Sequence, residues 1–167
     1  MMKNRKNVKK REKPEFEQKL LDLARVTRVV KGGRRFRFRA TLVIGNRKGN
    51  VGVGVAKGSD VSDAIQKAYN DAKKNLIKVG LSGNTIPHDT SMKLGSAKVL
   101  LKPASEGRGI IAGGAVRSVV DLAGIRDIVS KSLGSSNKLN VARATIEALK
   151  GLKAPRVKEE KAEIKKA

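Results

Sequence analysis

The sequence predicts an α+β chain: an N-terminal three-strand meander followed by a helix, then a C-terminal β-β-α-β-α unit. Three observations carry this expectation. The stretch "RRFRFRATLVIG" (34–45) alternates apolar and polar residues with a period of two. Two later stretches, around 64–77 and 139–152, carry apolar stripes at helical spacing. Between them "SGNT" (82–85) marks a joint, and shorter strand-like runs follow it. The domain division expected on these grounds is a basic N-terminal arm at 1–19, a first domain at 20–82, an α/β domain at 83–153 and a charged tail at 154–167.

Residues 1–13 hold seven Lys or Arg and one Glu, and read as a mobile basic arm or a solubilising tail. The first strand is expected over Ala24–Val30. "KGGR" (Lys31–Arg34) then reads as a hairpin turn, with Gly32 and Gly33 supplying positive φ. In the second strand Phe36, Phe38, Ala40, Leu42 and Ile44 share one face, and Arg35, Arg37 and Arg39 share the other. Those arginines stand about 6.6 Å apart, two strand steps of roughly 3.3 Å. "GNRKGN" (Gly45–Asn50) is a second, longer basic turn carrying Arg47 and Lys48. In "VGVGVAK" Val51, Val53 and Val55 face one way and Gly52 and Gly54 the other, which permits close approach by a helix or by an RNA strand. Asp60 is the candidate N-cap of the helix that follows. Ala64, Ile65, Ala68, Tyr69, Ala72, Leu76 and Ile77 form its stripe, and its end is expected near Gly80.

Past the joint, "TIPHDTSMKLG" and "SAKVLLKP" read as two strands around a turn. The glycine-rich "PASEGRGIIAGGAVR" (103–117) leads into a helix at about Gly114–Gly124. "DIVSKSLG" is the next strand, and "LNVARATIEALKGL" the last helix, with Asn140 as candidate cap.

Charge narrows the function. Thirty-eight Lys and Arg face fifteen Asp and Glu, giving a net charge of +23, so the chain needs a polyanion nearby. Ten bases and no acid lie between Arg25 and Lys57. Nucleic acid is the leading partner and an anionic membrane a distant second. No window approaches 18 apolar residues, so no membrane-spanning helix is expected. The N-terminus shows no secretory signal, and a cytoplasmic location follows, with an organelle matrix left open. The absence of cysteine excludes disulfides, Cys zinc sites and thiol chemistry.

No catalytic or metal-binding set emerges. The lone His88 adjoins Asp89 in a strand-like stretch, where neighbours point apart and form no base–orienter pair. Gly107, Gly109 and Ala112 fit G-x-G-x-x-A, with Asp127 twenty residues after Gly107. A dinucleotide site would need the glycines to follow a strand at once and the acid to end the next strand. Here "PASE" intervenes and Asp127 begins its strand. No cofactor and no small-molecule substrate are expected. The alternative is an elbow in which Gly109, Gly113 and Gly114, flanked by Arg108 and Arg117, offer helix N–H groups to an RNA phosphate or an acidic partner residue.

The order and charge of residues 24–80 resemble the strand–strand–strand–helix part of a double-stranded-RNA-binding domain. A more specific resemblance rests on "VVKGGR" (29–34), "AIQKA" (64–68), "PASEGRGIIAGGAVR" (103–117) and "VARATIEAL" (141–149), in that order. Over roughly Leu20–Leu152 the chain resembles the small-subunit ribosomal protein five family of the bacterial type. The third strand departs from the pattern, since relatives often carry aromatics there. The resemblance implies a non-enzymatic structural component of the small ribosomal subunit, lying against rRNA near the head–body junction and the side where mRNA enters. It implies a turn at Lys31–Arg34 directed toward the spectinomycin site. It also implies a contact of the elbow and Arg117 with ribosomal protein four that influences decoding accuracy, a role in subunit assembly, and ribosomal protein eight as a neighbour of the C-terminal part. On this reading Arg28, Lys31, Arg34, Arg35, Arg37, Arg39, Arg47, Lys48 and Lys57 contact rRNA phosphates while Gly32 and Gly33 fix the turn. A part in loosening mRNA is compatible with the basic surface.

Overall fold

The computed structural model describes residues 15–153. The stretches 1–13 and 154–167 that the sequence singles out lie outside the described residues. Strands β1 (Glu17–Val30), β2 (Gly33–Gly45) and β3 (Asn50–Gly58) form an antiparallel meander, followed by helix α1 (Val61–Lys74) and a two-residue strand β4 (Ile77–Lys78) that adds to β3. The first sheet thus runs β1-β2-β3-β4. The second half comprises β5 (Thr90–Leu94), β6 (Ala97–Pro103), β7 (Ile110–Ile111), α2 (Gly114–Ala123), β8 (Ile128–Gly134) and α3 (Lys138–Lys150). Its sheet runs β5-β6-β8-β7, with β7 parallel to β8 across the α2 crossover. The α+β class and the order of the major elements are those the sequence predicts.

Strand β2 is buried on both faces along its second half. Ala40, Leu42 and Ile44 pack with Ala64, Ala68 and Ala72 of α1. On the opposite face Val43, with Val51 and Val53 of β3, joins a larger core built from α2, α3 and the second sheet. One continuous core therefore crosses from the first half of the chain to the second. Each fully buried Val, Leu or Ile in it contributes about 1.5–3 kcal/mol.

The contact between β3 and α1 is unusually close. A Cβ placed on Gly54 would lie 2.1 Å from the Ala68 carbonyl oxygen, and one on Gly52 would lie 2.6 Å from that of Ala72. The glycine face of β3 is therefore covered by a helix, not left open for RNA. Asp60 occupies the N-cap position of α1, but its side chain makes no capping bond to the backbone. Its carboxylate accepts from the Ser62 hydroxyl, which holds it below the usual aspartate range. Asp63 is lowered chiefly by Lys67, its ion-pair partner at 2.8 Å, and also accepts the Ser59 N–H.

Several boundaries differ from the sequence-based expectation. β1 starts at Glu17, not Ala24, and its register shifts between Leu20 and Asp22. α1 ends at Lys74 with Asn75 as C-cap, so Ile77 belongs to β4 and not to the helical stripe. α3 is capped by Asn137, whose side chain accepts the Leu139 N–H at 3.1 Å, instead of by Asn140. Strand β4 replaces the expected last turn of α1, and β7 lies outside the predicted elements; each has two residues.

Candidate nucleic-acid interface

Strand pairing sets out the cationic surface. Residues directly opposite in an antiparallel pair share a face. Arg35, Arg37 and Arg39 of β2 face Arg28, Val26 and Ala24 of β1, and Arg39 also faces Lys57 of β3. The same face continues along β2 into Thr41 and Val43, which lie beneath the second half of the molecule. One end of the face is thus core and the other is an open row of bases. Arg28, Arg35, Arg37 and Lys57, with Val26 and Thr27, line a groove of about 320 Å³.

Two cross-strand pairs on this face, Arg28 with Arg35 and Arg39 with Lys57, oppose like charges directly. Such pairs are destabilising in a sheet. Among the described residues, no carboxylate comes within 4 Å of a basic nitrogen on Arg28, Lys31, Arg34, Arg35, Arg37, Lys48 or Lys57. Arg39 differs: Asp22 lies 3.9 Å from its guanidinium and 3.1 Å from Lys138 Nζ. Asp22 stands outside the acid-free window, and the register shift before it brings it back beside that window.

β3 pairs with β2 only from Phe38 to Gly45. Beyond that point β1 and β2 continue as a two-stranded ribbon from the Val26–Arg37 pair to the Val30–Gly33 pair. Lys31 and Gly32 form its tip. Of the two glycines only Gly33 takes a positive φ, +146°, and a Cβ on either would meet no neighbour. The tip is exposed on all four residues from Lys31 to Arg34.

The second basic turn does more than present charge. The Arg47 N–H donates to the Leu122 carbonyl at 3.0 Å and the Gly49 N–H to that of Ala123 at 2.9 Å. The β2–β3 turn thereby satisfies carbonyls at the end of α2 that would otherwise lack donors. Arg47 adopts φ 55° to do so. Its guanidinium reaches Glu17 at 2.9 Å, an exposed pair worth about 0–1 kcal/mol. Lys48 stays exposed.

At the elbow, Gly107 and Gly109 take φ +85° and +73°. The Asp127 carboxylate accepts the Gly109 N–H at 2.8 Å and is 4% exposed. The acid that a dinucleotide site would turn toward a ribose is spent on fixing the loop. Gly113 precedes α2 as its N-cap without a side-chain acceptor, and the space beside Gly113 and Gly114 is open. Arg108 and Arg117 are exposed, and Arg117 shares a cleft of about 460 Å³ with Arg47, Arg126 and Asp121. The structure therefore brings together Arg47 and Arg117, which lie seventy residues apart, and adds Arg126, which sequence reasoning missed. His88 accepts the Lys153 N–H through Nε2 at 3.2 Å, a structural contact. Among the described residues there is no cluster of three metal-ligating side chains, and no helix is long and apolar enough to cross a membrane.

Residues 16–80 match the family described as ribosomal protein S5, N-terminal domain, and residues 92–164 match ribosomal protein S5, C-terminal domain. Small ribosomal subunit protein uS5 of Campylobacter jejuni strain 81-176 is 57% identical over 146 residues, covering 87% of this chain and 99% of the relative. The corresponding protein of Campylobacter jejuni strain RM1221 matches to the same extent. These matches define a ribosomal protein of the small subunit, cytoplasmic with its ribosome, and not an enzyme. The chain belongs to the ribosomal protein S5 family.

Proposed function

We propose that the chain holds small-subunit rRNA against the arginine face of its first sheet and against its two basic turns. The observation that carries this reading is the row of opposed like charges, Arg28 with Arg35 and Arg39 with Lys57, three of whose four members have no acid partner among the described residues. A surface so arranged is stabilised by an external polyanion. Phosphates in the groove contact Arg28, Arg35, Arg37 and Lys57, while Lys31, Arg34 and Lys48 hold the backbone at the turns. Register comes from the rigid sheet, and the shape of an A-form groove is read with little sequence preference.

The same reading divides the chain into an arm at 1–19, whose last three residues pair as the start of β1, an RNA-binding domain at 20–82, an α/β domain at 83–153 and a tail at 154–167. The elbow at Arg108, Gly109, Gly113, Gly114 and Arg117 serves as the contact with ribosomal protein four, and through it the protein acts on decoding accuracy. Open space at Gly113 and Gly114, which line a cleft with Leu20, Leu21 and Lys138, and the exposed side chains of Arg108 and Arg117 support a partner on this part of the surface. Ribosomal protein eight adjoins the C-terminal part, mRNA passes near the basic surface, and the chain supports subunit assembly.

A salt titration tests the reading. With six to ten phosphates engaged, affinity for small-subunit rRNA falls roughly 10³- to 10⁵-fold between about 50 and 200 mM salt. A flat dependence overturns it.

A further inference from the structure

The two faces of the β1–β2 ribbon differ in chemistry. Opposite the arginine groove, β1 presents Leu23, Arg25, Thr27 and Val29, and β2 presents Arg34, Phe36 and Phe38. Phe38 is packed against the α1 core, but Phe36 is 45% exposed and Val29 75% exposed. The Arg25 guanidinium carbon lies 3.7 Å from the centroid of the Phe36 ring, so a flat cation rests on a flat ring. The charged groups on this face are cations, Arg25 itself and Arg34 two residues before the ring, and Lys31 adds a third farther along at the tip. Among the described residues no carboxylate pairs with any of the three.

An occupant must therefore satisfy a π surface and a cationic rim together. An apolar protein patch meets the first demand and leaves the rim unpaired. An RNA strand meets both, since its phosphates answer the cations and an unstacked base lies flat on an aromatic ring or a guanidinium plane. We propose that the Arg25–Phe36 stack is a platform for one unpaired RNA base, on the face of the ribbon opposite the phosphate groove. The proposal rests on the reading of the ribbon as an RNA-binding element and extends it: one face takes backbone, the other takes a base, and the ribbon sits between two stretches of RNA.

The test uses the full chain and two RNA hairpins with the same stem of about 16 base pairs, a length one double-stranded-RNA-binding module spans. One stem carries a single bulged adenosine. Wild type binds the bulged hairpin more tightly. Phe36→Ala loses that preference, a drop of about 5- to 150-fold on the bulged hairpin. Its affinity and salt slope on the unbulged hairpin stay as in wild type, because no phosphate contact has changed. Phe36→Tyr keeps the ring and keeps the preference. If wild type shows no preference, or Phe36→Ala retains it, the platform is overturned while a steep salt slope still upholds the phosphate groove. If neither hairpin binds with a salt dependence, the RNA reading itself fails. Thermal melts monitored by circular dichroism confirm that the variants are folded. Should Phe36→Ala melt early, Arg25→Ala at an exposed position serves the same comparison and is expected to weaken the preference.

Discussion

Asp22 lies between Arg39 of its own sheet and Lys138 at the start of α3, and so ties the end of the arginine row to the second half of the chain. It was not legible in the sequence, because the alternation of apolar and polar residues that marks a strand breaks at Leu21. There the register shifts, and Leu21 turns toward the large core. The same break concealed Glu17, the partner of Arg47. The arginines themselves were legible, since nothing interrupts the period of two from Arg35 to Leu42. Arg25 over Phe36 was not, because the pair meets diagonally across two strands whose register the sequence leaves open. At Gly33 the backbone takes a conformation that L side chains rarely adopt, with no neighbour to clash. Gly33→Asp therefore strains the tip and places a negative charge between Lys31 and Arg34. The expected outcome is rRNA affinity lowered about tenfold and an altered response of subunits carrying the variant to spectinomycin, with the melting temperature of the free protein lowered by only a few degrees, as strain of about 1–3 kcal/mol at one tip residue allows. Filter binding and a growth assay in the drug check both.

The fit of α1 to β3 shows how an aromatic-poor chain builds a firm layer. Gly52, Gly54 and Gly58 remove side chains from one face of the strand, and alanines at 64, 68 and 72 remove bulk from the facing side of the helix. Backbone then packs on backbone, with the dispersion contacts of a dense interior and little side-chain entropy to lose. The sequence showed the glycine face and the alanine stripe separately; their meeting is a tertiary fact that no local period encodes. Gly54→Ala inserts a methyl group 2.1 Å from the Ala68 carbonyl oxygen, where neither backbone gives way cheaply. Overpacking of this kind costs about 3 kcal/mol or more. Calorimetry should show the melting temperature falling by roughly 6–12 °C. An unchanged melt would mean that helix and strand are less tightly coupled than they stand here. Ile77 shows the limit of periodicity in the other direction. It continues the helical spacing of Leu76 and its predecessors, yet Asn75 ends the helix and β3 captures Ile77 as a strand partner. Strands of two residues, such as β4 and β7, are too short to display a period at all.

At the scale of the whole molecule the two halves are joined by more than a linker. Their apolar faces form one core, and the β2–β3 turn closes over the end of α2. Gly124 makes that closure feasible: it takes φ +90°, and a Cβ there would stand 2.2 Å from the Arg47 carbonyl oxygen. Gly124→Ala is expected to push the turn off the helix and destabilise the chain by about 2–4 kcal/mol, by strain and clash together. Hydrogen exchange at Arg47 and Gly49 should quicken more than at residues of β6; equal protection at both places would count against this role. The sequence marked "SGNT" as a joint and the Arg47–Lys48 turn as a basic patch, and gave no hint that the turn serves the far side of that joint, since the bonds come from backbone groups that every residue carries. Chains are made from the amino end, and early segments fold while later ones are still being synthesised. The donors at Arg47 and Gly49 precede their acceptors at Leu122 and Ala123 by more than seventy positions. The meander can thus stand ready as a mould before α2 is complete, so that the newborn polypeptide finishes its second half against a template it has already laid down.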